Sequence, residues 1–90
     1  MQELTLLDLE NCFNEAKEKG YKYVAVLVTV PNCSMPELII NHKDNFDSKL
    51  DYYKGAYNED LTLKSFNKIK ILDFAYGETL GQFQYNPFLQ

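Results

Sequence analysis

The chain has 90 residues, 46% of them hydrophobic and 24% charged, with a formal net charge of −4. That length belongs to one domain, and the apolar share excludes a disordered tail or a fibrous repeat. The longest unbroken apolar run, Val24 to Val28, is five residues, far below the ~20 that cross a bilayer, and the acidic start Met1-Gln2-Glu3 does not read as a secretory leader.

Thr5 followed by Asp8 predicts a helix start of the capping-box kind. Leu6, Leu9, Phe13 and Ala16 then recur on one helical face, while Leu7 falls off it beside Asn11, Asn14 and Glu18. Glu15 and Lys19 form an i,i+4 pair, and Gly20 supplies a left-handed stop. Tyr21 to Val30 (YKYVAVLVTV) reads as a strand that runs until Pro31. Its Tyr21/Tyr23/Ala25/Leu27 face is as apolar as its Val24/Val26/Val28/Val30 face, which places it in the middle of a sheet. A turn-rich loop from Pro31 to Pro36 leads into a return strand, Glu37 to Asn41. Asn45 is the expected N-cap of a second helix with the apolar stripe Phe46, Leu50, Tyr53 and Tyr57; Ser48, Tyr52 and Gly55 point outward. Leu61 to Lys64 alternates briefly, a link of up to five residues spans Ser65 to Ile69, and a last strand, Ile69 to Tyr76, closes at Gly77.

The order α-β-β-α-β(β) predicts an α+β fold, a small three- or four-stranded mixed sheet packed against two helices. The strand after the second helix should return parallel to Glu37–Asn41 through a right-handed crossover, with Tyr21–Val30 between them and antiparallel to both. The whole chain, 1–90, is read as one domain. Residues 78–90 are expected as a docking tail whose apolar side chains either fold over the uncovered sheet face or meet another chain.

All nine basic residues are lysine. Arginine's rigid fork is the usual tool for phosphate and guanine, so an acidic chain without it is not expected to bind nucleic acid directly. Residues 1–20 set Glu3, Asp8, Glu10, Glu15 and Glu18 against Lys17 and Lys19, a local charge of −3. Cys12 and Cys33 are expected as reduced thiols. His42 is the only histidine, no metal-ligand spacing exists, and neither metal nor cofactor is expected. A domain this small is marginally stable without a staple, so a homo-oligomer, most simply a dimer, is expected.

Three clusters bear on catalysis. Cys33, His42 and Asp44 compose a Cys-His-Asp set only where folding brings thiol and imidazole into hydrogen-bond reach; the plainer reading is a loop thiol and a surface histidine. Asp44, Asp47 and Asp51 alternate with Lys49 and Lys54 as a solvated helix face does. Asp73 interrupts an apolar strand, which implies either a buried carboxylate paired with Lys22 or Lys64 or an edge strand facing water. No catalytic residue is assigned.

The strongest signal is aromatic: thirteen residues are Phe or Tyr. Tyr52, Tyr76, Phe83, Tyr85 and Phe88 have no evident place in the core, and tyrosine is favoured at interfaces. With Glu15 and Glu18 they are the expected protein-interaction residues. An alternative is an oligomeric small-ligand or nucleotide-binding protein, with a pocket formed by Lys49, Tyr52, Tyr53 and Lys54 in which tyrosine stacks on a base and lysine meets phosphate. A further alternative is a small enzyme using Cys33 and His42.

The stretch Ile39 to Tyr76, through INHKDNFDSKLDYYKGAYNEDLTL and IKILDFAYG, resembles short phage and prophage proteins of low-GC Gram-positive bacteria, a group without an assigned activity. The resemblance implies a phage accessory protein in the cytoplasm of a bacterial host. It further implies a non-catalytic binder of a host or phage protein that blocks a host defence component, as an anti-CRISPR protein does.

Overall fold

The first helix begins where the sequence places a reciprocal cap. In the computed structural model, which describes residues 3–79, the Thr5 hydroxyl accepts from the Asp8 N–H at 3.3 Å and the Asp8 carboxylate accepts from the Thr5 N–H at 2.8 Å. Two backbone donors that the helix leaves unpaired are satisfied in this way. Helix α1 runs Leu6–Lys19 and ends at Gly20, whose φ of 78° is left-handed. Its Leu9, Cys12, Phe13 and Ala16 are buried.

Strand β1, Tyr23–Val28, is shorter than predicted. At its start the Tyr21 N–H is taken by the Ala16 carbonyl, which ties this residue to the end of α1 instead of to the sheet. Strand β2, Glu37–His42, pairs antiparallel with β1 from Tyr23↔His42 to Val28↔Glu37. A 3-10 turn, Lys43–Asn45, then leads into helix α2, Phe46–Ala56. The cap here differs from the expected one: Asn45 makes no capping bond, and the His42 ring accepts from the Asp44 N–H through Nδ1 at 3.2 Å. The inserted turn moves the capping task upstream. The α2 stripe is as predicted, with Phe46, Tyr53 and Tyr57 buried and Leu50 packed against them.

Strand β3 is only Thr62–Leu63, and β4 runs Phe66–Gly77. The link between them is two residues, Lys64 and Ser65, because Leu63 pairs directly with Phe66. The four strands lie in the order β2-β1-β4-β3, so β1 is central and antiparallel to both neighbours. β2 and β4 run parallel to each other across β1, as the crossover requires. No two neighbouring strands are parallel, so the sheet is antiparallel and not mixed. A bulge between Leu27 and Val28 shifts the register of β1 on β4 from Leu27↔Asp73 to Val28↔Ile71.

Both helices cover the face of β1 that carries Val24, Val26 and Val28, and these side chains join Leu9, Phe13, Phe46, Tyr53 and Ile71 in one core. On the opposite face Ala25 and Leu27 are also buried, at 0% and 3% exposure, beside Ile40, Ala75 and Leu38. The expected docking tail, with Phe83, Tyr85 and Phe88, lies outside the described residues, apart from its start at Glu78 and Thr79.

Gly55 sits on the outer side of α2, and a Cβ added there meets nothing within 4 Å. Gly55→Ala is therefore expected to raise stability by about 0.5–1 kcal/mol, since it removes unfolded-state entropy without a clash. A urea midpoint that fails to rise would show that the helix is constrained there in another way.

Candidate functional site

Helix α1 crosses the sheet above β4, and this crossing assembles the most organised polar surface among the described residues. Lys19, in the last turn of α1, bonds Glu15 one turn back at 3.3 Å and the Tyr76 hydroxyl on β4 at 3.1 Å. Its ammonium also lies 5.5 Å from the Tyr76 ring centroid, within reach of a cation–π attraction. The Tyr76 hydroxyl and then Glu15 hold the Lys19 ammonium above its ordinary pKa. Tyr21 stacks on Tyr76 with 4.6 Å between centroids. The half-buried Tyr76 ring packs against the core, with Tyr21 on its face and Lys19 at its hydroxyl.

A groove opens beside this cluster, with Asp8, Asn11 and Glu15 on its helical wall and Phe74, Ala75 and Tyr76 on its strand wall. Its floor includes the Cys12 thiol, which is pushed up to about 12 by burial first, then by the carboxylates of Glu15 and Asp73. The groove's carboxylates are those of Asp8, engaged in the helix cap, and Glu15, paired with Lys19.

On the other side of α1 a second concavity, of about 450 Å³, is lined by Leu6, Leu7, Glu10, Lys54 and Glu59, among others. Leu7 is 62% exposed there, as its place off the apolar stripe predicts. Lys54 is held by Glu10 at 2.9 Å.

Of the expected interaction residues, Glu15 and Tyr76 come together through Lys19. Glu18 is exposed on the same helix. Tyr52 belongs to a separate patch on α2, 50% exposed, with its ring edge-on to Tyr53 and Tyr57 at 5.3 and 6.4 Å.

The pocket drawn from Lys49, Tyr52, Tyr53 and Lys54 is corrected in two places. Tyr53 is 1% exposed and packs on Phe13, so its ring is a core element and offers no free face for stacking. Its hydroxyl is buried without a hydrogen-bond partner; burial pushes the phenol upward in pKa, and the nearby Asn41 side chain works in the opposite direction. The Lys54 charge is committed to Glu10. Lys49 does lie over the Tyr52 and Tyr53 rings, at 5.4 and 5.7 Å.

Cys33 and His42 are not assembled. Cys33 is exposed in the loop before β2 and His42 is the last residue of that strand, so the length of β2, roughly 3.3 Å per residue, separates them. Asp44 faces His42 at 3.3 Å. Asp73 pairs with neither Lys22 nor Lys64. Half-buried on β4, it accepts the Phe74 N–H through Oδ1 at 2.8 Å. Among the described residues no three His, Cys, Asp or Glu side chains cluster to hold a metal, and no helix is long and apolar enough to cross a membrane.

The periodicity of α1 and the alternation of β4 each mark an exposed residue set, but their meeting at Lys19 is a tertiary fact. Lys19 was visible only as the partner of Glu15. No protein-family model, curated protein or solved structure matches the chain.

Proposed function

We propose that the chain is a non-catalytic protein-interaction module whose contact surface is the α1–β4 groove and the tyrosine beside it. The observation that carries this reading is the Glu15–Lys19–Tyr76–Tyr21 cluster. A large aromatic ring, fixed before any partner arrives and set beside acidic residues, has the character of an interface anchor, because little side-chain entropy remains to be lost. The complementary partner is a protein with a basic contact segment. Following the resemblance of Ile39–Tyr76 to phage proteins, that partner is a component of host defence or another phage protein, met in the cytoplasm of a bacterial host, and binding blocks it.

Calorimetric titration of the purified chain into purified host defence proteins tests this. Binding at fixed stoichiometry without turnover is expected, and Tyr76→Ala should weaken it about tenfold or more. Glu15→Lys with Glu18→Lys should lower the association rate and its salt dependence. Binding that is indifferent to all three changes would overturn the assignment of the surface.

A further inference from the structure

The two edges of the sheet are built differently, and the difference points to a second contact surface remote from α1. On the β4 side, β3 covers only the stretch near Phe66 and Lys70. Beyond it the Phe74 N–H is occupied by Asp73. That edge is thus partly engaged, as the edges of natural sheets are to limit unwanted pairing.

The edge of β2 has no such protection. Among the described residues nothing pairs with its outer side, and Leu38-Ile39-Ile40-Asn41 carries no charge, proline or bulge. The Lys43 N–H donates to the Lys22 carbonyl at 2.7 Å, so odd-numbered residues of this strand turn their backbone groups toward β1. Leu38 and Ile40 therefore turn theirs outward, as does the His42 N–H, while the His42 carbonyl opens the 3-10 turn. Antiparallel self-pairing about a two-fold axis at Ile40 would join the donors and acceptors of Leu38 and Ile40 and the His42 N–H. It would place Ile40 against Ile40 of a second copy, Leu38 against His42, Ile39 against Asn41, and Glu37 against Lys43. Glu37 and Lys43 are exposed and make no ion pair among the described residues. The strand is thus complementary to itself in hydrogen bonding, in apolar contact and in charge.

We propose that the outer edge of β2 is the interface at which two copies of this chain join into one continuous eight-stranded sheet. The surface is distinct from the α1–β4 groove, so the two assignments stand or fall separately.

Sedimentation equilibrium of the full chain decides it. The wild type is expected near 21 kDa, twice the chain mass of 10.5 kDa. Ile40→Pro removes an N–H that no bond within the sheet uses, so this variant should keep the wild-type far-UV circular dichroism and sediment as a monomer. Glu37→Lys should raise the dimer dissociation constant about tenfold, because like charges then face each other twice. Adding Lys43→Glu should restore it. Should Ile40→Pro fail to fold, the charge exchange alone settles the question. A wild type that stays monomeric at millimolar concentration overturns the proposal, as does a dimer that survives Ile40→Pro or ignores the charge exchange.

Discussion

Phe13→Ala is expected to cost about 3–5 kcal/mol of folding stability, as for other large aromatic truncations in packed cores. Phe13 is fully buried and meets Phe46 edge-on at 5.4 Å and Tyr53 at 6.1 Å. It is the residue of α1 that joins Phe46 and Tyr53 of the α2 stripe. A 90-residue domain has a total stability of about 5–13 kcal/mol, so the loss removes a large share of it. Urea unfolding followed by circular dichroism should show the midpoint falling with an unchanged slope. A loss below about 1 kcal/mol would mean that the α1–α2 junction is not the centre of the core.

The second large effect concerns the thiols. Cys33 is exposed and Cys12 is buried, with the Cys12 pKa pushed from an ordinary 9.0 up to about 12. Only the thiolate attacks a disulfide reagent, and at pH 8 the shift lowers the Cys12 thiolate fraction about a thousandfold; the greater nucleophilicity of a more basic thiolate recovers part of this, and burial adds steric shielding. A chromogenic thiol assay should therefore count one fast equivalent in the native protein and two in denaturant. Comparable rates for both cysteines would refute the burial of Cys12. The same shift makes alkaline stability fall. Below about pH 9 the neutral buried thiol contributes fully, and the contribution is lost as pH rises toward about 12, because the unfolded chain releases its proton first. Tyr57, pushed up to about 12 by burial and then by Tyr52 and Tyr53, erodes over the upper part of the same range.

The architecture was legible wherever a local signal and the tertiary outcome coincide. Thr5 and Asp8 are three residues apart, and a capping box needs no other residue. The valines of β1 announced a central strand because both its faces are apolar. The β3–β4 hairpin was not legible, since Phe66, Asn67 and Lys68 are exposed and lack the apolar alternation that marks a half-buried strand. The His42 cap was hidden for a different reason. A 3-10 turn was inserted before α2, and Asn45 remained the best local candidate. At the candidate site, Glu15 and Glu18 could be chosen for exposure alone; Tyr76, expected outside the core, is half-buried against it, and Lys19 acquires its part only when α1 crosses β4. Tyr53 shows the converse: its place on the α2 stripe already marked it as core, and that reading outweighs its appeal as a ring for stacking.

The carboxylate of Asp73 holds a single amide, yet under the proposed β2 pairing it bears on how large an assembly this sheet could build. A β-layer with two receptive margins adds copies without end and grows into ribbons, whereas one receptive margin lets growth terminate after a single closed step. With the Phe74 amide engaged and β3 lying along part of β4, the second margin is less receptive than the first. Asp73→Thr, which frees that amide and favours a strand, is expected to raise the tendency toward larger species, which light scattering against the wild type would read.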